Sequence, residues 1–463
     1  MNSLAESGVG AALHKEVSDA LAPRVIQQFY TLTPESGSDA AGHTHTIDVT
    51  GKMKVAPVNT PITKDGQKIT IDGRKFVFYI DDITTDTAQQ LMVSIPDQGI
   101  VLHNIVWGFF PNIYSIRGGE YRNPAVWIKA LDKLESLNPK ILLGTHIKST
   151  ADHDKAISII QTYQDALSSI LNQTLFEMIK GVQREKAAYE VELPSQIINQ
   201  PHLRQNYGEV VTMVPQIYSA VLGSFNGVAA DAVPMHPSAE ADMIVRGMGG
   251  QKATLKFAEG EFSKGNFLNA VQLGKHLVNY DSNDQANIDF QIKALRAMAG
   301  ATESHNLRSW YLTQAIILNG DAALPGAFPV APEIMSDKAA DFADNFRIRL
   351  NHKRVGDTHT KIGFKFDNEV VGIEIRNGVA YTRDNIDDAE VVIKMHNVEF
   401  AKLYNNTATI DQMVKAGEAT ITVDKLSRAS ELLSMFDLAF DWQNDKGLQF
   451  LMNMMSKEQE NDQ

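Results

Sequence analysis

The sequence predicts three structural classes in succession: an α/β region, an all-α region and an α+β region. Short β-rich runs, one helical stretch and a further strand precede Thr150. Apolar residues at helical spacing then dominate from Asp152 to Gly320. After the proline-rich stretch "LPGAFPVAPEIMSD", several strands are followed by helices. The length of 463 residues fits two or three domains.

Composition narrows the function classes. A hydrophobic share of 43% and a charged share of 21% are typical of globular domains. The formal net charge of −13 argues against nucleic acid as a partner. The absence of cysteine excludes disulfides, thiolate metal sites and a cysteine nucleophile. The opening residues lack a signal-peptide pattern and no apolar run is long enough to span a bilayer, so we expect a cytoplasmic protein.

The first region is predicted to build a sheet. The runs "KITIDG", "KFVFYI" and "LMVSI" predict strands, with a hairpin turn at Asp72-Gly73, and "PDQGIVLHN" predicts another hairpin and strand. Pro124 after Asn123 predicts a helix N-terminus. The run "KILLGTH" predicts a short buried strand that ends at His146.

The middle region is predicted to be helical. Apolar residues recur at helical spacing at Ile157, Ile160, Leu167, Ile170 and Leu171. The stretch "EGEFSKGNFLNAVQLGKHLVNYDSNDQANIDFQIKALRAMA" predicts two antiparallel helices around an Asp-Ser-Asn-Asp turn. Its small residues resemble those of helical-repeat pairs, but a single unit makes no array.

The last region is predicted to be a sheet covered by helices. The strands are "FRIRLN", "HTKIGFKFD", "VVGIEIRNG", "VAYTRD" and "AEVVIKM", with a tight hairpin at Asn377-Gly378. Amphipathic helices are predicted for "NVEFAKLYNN", "TIDQMVKAG" and "KLSRASELLSMFDLAF", with the strand "ATITVD" between the last two. Helices in these positions would cover one apolar face of the sheet.

One loop carries a candidate site. The stretch "SIRGGEYRNPAVW" from Ser115 to Trp127 places adjacent glycines between an arginine and a glutamate. Adjacent glycines allow the backbone to approach a ligand closely, so we expect this loop to border a catalytic site.

Taken in order, these stretches resemble the alkylsulfatase family. The run "NIYSIRGGEYRNPAVW" from Asn112 is similar to N-L-Y-T-L-R-G-A-x-x-R-D-x-x-x-W. "NQTLFEMIKG" followed by Leu193-Pro194 is similar to D-Q-T-L, G and L-P, and "ESHNLRSWYLTQA" is similar to E-S-x-x-W-R-N-x-Y-L-T-x-A. Tyr207-Gly208, "GSFNG", "MGG" and "GNF" match shorter motifs. The matches cover Asn112 to Gly320.

The resemblance implies zinc-dependent hydrolysis of linear alkyl sulfate esters, such as dodecyl sulfate, by a homodimer. It implies a partial metallo-β-lactamase-type αββα domain over residues 1–151. A helical dimerisation domain over 152–322 and a sterol-carrier-like α+β domain over 334–458 would follow.

The resemblance also assigns metal positions. The family binds two zinc ions through H-x-H-x-D-H, two carboxylates and a later histidine, and a metal-bound hydroxide cleaves the ester. His146 matches the later histidine, with a hydrogen-bonded structural histidine as the alternative. The family's A-E-N aligns with His103-Asn104-Ile105 and its R-D with Arg122-Asn123. Asn104 and Asn123 therefore replace both carboxylates with neutral amides, which are weak zinc ligands.

Other donors are weaker candidates. His103 and Glu120 are near in sequence, although an exposed glutamate is more often simply solvated. "GHTHTID", with His43, His45 and Asp48, is the nearest counterpart of the histidine cluster. It lacks the final histidine and the following glycines, so we expect no functional zinc site there.

The candidate substrate-binding residues each have a structural alternative. Tyr207 is a candidate substrate-binding residue, and the alternative is a half-buried tyrosine that anchors a loop. The family's active-site H-N pair is replaced by Thr212 and Met213. The apolar residues of "LLSMFDLAF" line an alkyl-binding tunnel or form an ordinary core.

Three interpretations follow: an active zinc alkylsulfatase, a non-catalytic dimeric relative that binds lipid or alkyl chains through its C-terminal domain, and a truncated sequence. Losses at Asn104, Asn123 and Thr212 argue against truncation alone. We expect weak or absent zinc binding and weak or absent activity.

Overall fold

The computed structural model describes residues 21–30, 32–34, 37–40, 60–86, 90–111, 113, 121–324, 329–336, 338–422, 424–450 and 452–453. The chain divides into two compact units, Met1–Ala322 and Ala323–Gln463. Within the described ranges, no helix combines the length and the apolar composition that a membrane crossing requires.

The first unit contains a five-stranded sheet in the order β1-β2-β3-β4-β5. The strands are β1 (Gln67–Ile71), β2 (Arg74–Tyr79), β3 (Met92–Ile95), β4 (Ile100–His103) and β5 (Ile141–Gly144). The predicted hairpin is confirmed, because Asp72 and Gly73 join β1 to β2 with φ of 48° and 76°. Two positive φ angles match the twist of antiparallel strands.

A helix connects β4 to β5 and makes their pairing parallel. Helix α2 (Pro124–Ser136) begins as predicted, with Pro124 in its first turn and the Asn123 side chain accepting a hydrogen bond from Ala125 N at 2.9 Å. Strand β5 then pairs with β4 so that His103 lies opposite Gly144. The carboxyl ends of two strands far apart in sequence therefore meet.

Both faces of this sheet carry apolar side chains. One face packs into a core with Val77, Met92, Val101 and Leu142. On the other face, paired rows are formed by Phe78, Val93, Leu102 and Leu143 and by Ile95, Ile100 and Ile141. The members of these rows are half-buried except Leu102, which is 37% exposed. Apolar residues on both faces are typical of a sheet with a layer on each side.

The core of the sheet continues into the following helices. Helix α3 (His153–Ile179) begins as predicted, with Asp152 accepting from Lys155 N at 3.1 Å, and it packs on α2. One hydrophobic cluster extends from Val101 in the sheet to Ile217. The proposed boundary at 151 lies inside this shared core, so the three-domain division stays a prediction.

The helical region has the predicted character. After α3, its helices are α4 (Arg184–Glu190), α5 (Val210–Leu222), α6 (Pro237–Gly247), α7 (Gln251–Ser263), α8 (Phe267–Tyr280), α9 (Gln285–Ala301) and α10 (His305–Leu318). Helix α1 (Leu21–Gln28) precedes this region in the chain and packs on α10. Helices α8 and α9 form the predicted antiparallel pair. The prediction of one helix from Glu259 into α8 is wrong, because Gly265 has φ of 82° and separates α7 from α8.

The second unit is a five-stranded sheet in the order β10-β9-β6-β7-β8, with helices around it. Its strands are β6 (Thr360–Lys365), β7 (Val370–Arg376), β8 (Val379–Arg383), β9 (Val391–Met395) and β10 (Ala419–Ile421). Its helices are α11 (Pro332–Met335), α12 (Ala339–Asp344), α13 (Phe346–Arg349), α14 (Phe400–Tyr404), α15 (Ile410–Ala416) and α16 (Leu426–Leu433). The hairpin at Asn377-Gly378 is confirmed, with φ of 51° and 76°.

Two predictions for this unit are wrong. "FRIRLN" is helical rather than extended over Phe346–Arg349, where the Phe346 ring packs against Phe364 and Phe436 at centroid distances of 5.3 and 5.2 Å. The last amphipathic helix ends at Leu433 instead of Phe440. Beyond it, Phe436 makes an isolated antiparallel β-bridge with Leu350, so the chain is no longer helical there.

Candidate active site

The predicted glycine loop lies mostly outside the described residues, which exclude Asn112 and the range 114–120. Its described end carries Arg122, whose Nη2 lies 2.7 Å from Oδ1 of Asp86. Arg122 Nε also donates to the Asp86 carbonyl oxygen at 3.3 Å. This guanidinium therefore ties the end of the loop to the segment before β3.

Three polar side chains meet at the carboxyl ends of β4 and β5. Oδ1 of Asn104 lies 2.5 Å from Nδ1 of His146 and 2.6 Å from the Thr145 hydroxyl. The Thr145 hydroxyl is also 3.0 Å from His146 Nδ1. An amide oxygen only accepts hydrogen bonds, so this contact places the proton of neutral His146 on Nδ1 and its lone pair on Nε2.

The strand register brings these residues together. Thr145 N donates to the His103 carbonyl oxygen at 3.1 Å, which extends the β4–β5 pairing by one step. The His146 carbonyl oxygen accepts from Gly108 N at 2.8 Å. Backbone hydrogen bonds thus hold the two segments on either side of the Asn104–His146 contact.

The His146 ring lies against Trp107, with ring centroids 4.8 Å apart and an interplanar angle of 31°. The residue is exposed. Desolvation by the surrounding atoms lowers the pKa of His146, Asp86 raises it and Arg122 lowers it further. Neutral imidazole is therefore favoured at neutral pH.

His103 is buried directly beneath this contact. Its side chain is 2% exposed, and Nδ1 accepts from Ile105 N at 3.0 Å and from Val106 N at 3.3 Å. Burial lowers the pKa of His103 to about 4. His103 is thus a neutral residue of the protein interior rather than an exposed donor.

An aromatic cluster adjoins the imidazole. The half-buried Tyr207 ring is 5.4 Å from Trp107 in an edge-to-face contact and 5.3 Å from Phe109 in a stacked one. The Tyr207 carbonyl oxygen accepts from Asn306 Nδ2 at 2.9 Å. Tyr207 therefore both anchors a loop and joins the aromatic surface beside His146, and its role in substrate binding stays a prediction.

Three other residues that differ from the family's motifs make structural contacts. Met213 is fully buried in the core, and the Thr212 hydroxyl donates to the Glu209 carbonyl oxygen at 2.7 Å. Asn123 caps α2 through its side-chain oxygen. These contacts account for the three side chains without a ligand.

The described residues do not fit the zinc site that the resemblance implies. They contain no group of three or more His, Asp or Glu side chains placed to hold a metal ion. Asn104 offers a neutral oxygen that already accepts two hydrogen bonds, and Asp86 is paired with Arg122. His43, His45, Asp48 and Glu120 lie outside the described residues.

The apolar residues of "LLSMFDLAF" form a core. Leu432, Met435, Phe436 and Phe440 are buried in one cluster with the sheet of the second unit. Interlocking rings support the ordinary-core interpretation over a tunnel.

Sequence reasoning missed Asp86, Trp107 and Thr145. The tryptophan in "NIVWGFF" follows a strand that ends beside the candidate amide, which was an available signal. The aspartate offered no motif, because its contact with Arg122 spans 36 positions.

Two family models and several characterised proteins match this chain. Residues 184–321 match the family model for alkyl sulfatase dimerisation, and residues 333–441 match the alkyl sulfatase C-terminal model. A linear primary-alkylsulfatase of Pseudomonas sp. (strain ATCC 19151) is 29% identical over 351 residues, 72% of this chain and 66% of that protein. The alkyl/aryl-sulfatase BDS1 of Saccharomyces cerevisiae is 25% identical, over 80% of this chain and 58% of its own length.

A solved structure shares the fold. The stereoselective inverting sec-alkylsulfatase Pisa1 from Pseudomonas sp. matches with a TM-score of 0.77 at 22% identity, over 92% of this chain and 68% of that one. The chain spans 58–66% of the length of the curated relatives it matches.

Proposed function

Because this chain belongs to the alkylsulfatase family, we propose that it binds alkyl sulfate esters with weak or no zinc-dependent hydrolysis. The observation that carries this proposal is the 2.5 Å contact between Asn104 Oδ1 and His146 Nδ1. The resemblance places a metal-binding glutamate at position 104. Here a neutral amide engages the histidine directly.

The chemistry of the contact supports the loss of metal affinity. The zinc site that the resemblance implies uses two carboxylates, which offset part of the metal charge, and an amide carries no charge. The Asn104 oxygen accepts from both Thr145 and His146, so a metal ion at that oxygen would have to displace two hydrogen bonds. His146 Nε2 keeps a lone pair, but one imidazole is a poor site by itself.

The aromatic cluster supports binding of an aliphatic ester. Phe109 and Tyr207 are half-buried and stack beside the Trp107–His146 pair. Partly exposed rings next to a polar cluster would contact the alkyl part of the ester. Tyr207 is the residue that we assign to substrate contact.

The domain types that the resemblance implies belong to the same proposal. A sheet with apolar side chains on both faces supports a metallo-β-lactamase-type αββα arrangement over residues 1–151, in which a second layer covers the rows around Leu102. The antiparallel-rich sheet with surrounding helices supports a sterol-carrier-like α+β domain over 334–458. A cytoplasmic location also stays a proposal.

Homodimer formation is supported by an apolar surface at the ends of α3 and α5. Tyr218 donates to the Val182 carbonyl oxygen at 2.5 Å, and Arg184 donates to that of Ser224 at 2.9 Å, so these ends lie together. Ile179 is 81% exposed and Leu222 is 60% exposed. Large apolar side chains clustered on a surface mark protein contacts, and part of this surface lies in the dimerisation match.

Two measurements on the full chain test the proposal. Calorimetry with decyl sulfate below its micelle concentration should show binding that Tyr207→Ala weakens, with Tyr280→Ala, on the exposed side of α8, as the matched control. Ion chromatography should show little sulfate release when zinc is added. Rapid zinc-dependent sulfate release would contradict the proposal, as would calorimetry without binding.

A further inference from the structure

His103 makes an unusual pair of contacts for a buried histidine. Its Nδ1 accepts hydrogen bonds from two successive backbone amides, those of Ile105 and Val106, at 3.0 and 3.3 Å. Accepting at Nδ1 places the ring proton on Nε2. The side chain therefore replaces the strand partner that these two amides lose where β4 ends.

The segment that His103 holds contributes two side chains to the candidate active site around His146. Residues 104–107 include Asn104 and Trp107, whose side chains both contact His146. Trp107 Nε1 donates to the Asn104 carbonyl oxygen at 3.3 Å, and Trp127 Nε1 donates to that of Ile105 at 2.9 Å. The carbonyl groups of the turn are satisfied by tryptophans and its amides by His103, so its conformation is fixed on both sides.

The same ring also lies close to the neighbouring segment. A Cβ atom added to Gly144 would lie 2.3 Å from Cγ2 of Ile147, and 3.1 and 3.2 Å from Cε1 and Nε2 of His103. Gly144 immediately precedes Thr145 and His146, and its lack of a side chain allows the close approach. His103 thus touches both segments that meet at the candidate site.

We propose that His103 is a positioning residue that holds Asn104 against His146 through the lone pair on its Nδ1. The inference rests on the proposed function only in that it concerns the same site. The resemblance aligns His103 with an alanine, whose side chain has no hydrogen-bond acceptor. The positioning role requires a hydrogen-bond acceptor at the position of Nδ1, and it involves no proton transfer.

If His103 only filled space in the core, a side chain of similar volume without a hydrogen-bond acceptor could replace it. Asparagine places its Oδ1 near the position of Nδ1, whereas glutamine places its oxygen nearer to that of Nε2. Leucine fills similar volume without an acceptor. His103→Asn should therefore preserve the Asn104–His146 contact, while His103→Gln and His103→Leu should lose it.

The readout is the tautomer of His146, observed by nuclear magnetic resonance of the full chain labelled with ¹⁵N-histidine. There are 13 histidines, and His146→Asn identifies the signal by its disappearance. The wild-type protein and His103→Asn should show His146 protonated on Nδ1. The other two variants should lose that preference. His276→Leu, which removes another buried imidazole from α8, is the control for general destabilisation and should leave the signal unchanged.

The outcomes separate the possibilities. A wild-type His146 signal in folded His103→Leu would overturn the proposal, and so would loss of the signal in His103→Asn. If His103→Leu does not fold, the comparison of asparagine with glutamine decides in the same way. The readout needs no ligand, so a failure to bind decyl sulfate would count against the proposed function without affecting this test.

Discussion

The amide oxygen of Asn104 lies 2.5 Å from Nδ1 of His146, across 42 positions of sequence. The contact exists because β4 and β5 pair in parallel with His103 opposite Gly144. A neutral amide at this point favours neutral imidazole, whereas a carboxylate would favour its charged form.

The first prediction concerns the charge at position 104. The pKa of His146 lies below its usual value of 6.5. Asn104→Asp places an anion beside the ring and should raise this pKa by roughly one unit or more. A titration of the His146 resonance measures the change. Asn104→Ala, which removes the acceptor without adding charge, is the control, and an unchanged pKa in Asn104→Asp would show that the two side chains do not interact.

The second prediction concerns the dimer. Ile179→Glu combined with Leu222→Glu introduces charges into the apolar surface at the ends of α3 and α5 and should convert the proposed homodimer to a monomer. Light scattering across micromolar concentrations measures the mass. Leu438→Glu, at a 62% exposed position of the second unit, should leave the dimer intact. Chelation of metal should also leave it intact, and a wild-type monomer would refute the assignment.

The third prediction concerns acid stability. Hydrogen bonds from Lys264, Asn269 and Asn266 to buried Glu261 lower its pKa from 4.5 to about 2. The folded state therefore binds fewer protons than the unfolded state, so this contribution is full above pH 4.5 and is lost as the pH falls towards 2. Glu261→Gln should show a shallower loss of thermal stability over that range. Exposed Glu259→Gln should follow the wild type, and parallel curves for all three proteins would contradict the prediction.

The fourth prediction distinguishes a filled core from an alkyl tunnel in the second unit. Phe400 is fully buried and contacts Phe366, Phe364 and Tyr404 at centroid distances of 5.0, 5.7 and 6.1 Å. In a filled core, Phe400→Ala should lower the free energy of unfolding by about 3–5 kcal/mol. Exposed Phe257→Ala should change it by less than about 0.5 kcal/mol. A small effect at Phe400, with stabilisation of the wild type by fatty acid, would favour a tunnel.

Local chemistry explains which elements could be predicted. Asp72-Gly73, Asn377-Gly378 and Asn123-Pro124 act through the backbone conformation of their own few residues, so the sequence alone indicates the turns and the helix start. "FRIRLN" alternates like a strand, but packing of Phe346 against Phe364 overrides that pattern.

The site could be predicted only in part. The resemblance identified Asn104 and His146 as separate positions, but their contact depends on a parallel register that no local pattern encodes. Its position in the sequence makes His103 an alternative metal donor, whereas in the structure it is buried and its Nδ1 accepts from two backbone amides. Burial and hydrogen-bond direction follow from the tertiary fold and not from residue type.

We expect the amide at position 104 to leave this chain without an effective zinc site, which the zinc content of the purified full chain after dialysis measures. Asn104→Glu, which restores a carboxylate beside His146, is the matched comparison and should retain more zinc than the wild type. The wild-type chain should hold far less than one zinc ion, and close to two ions per chain would show that the zinc site is intact.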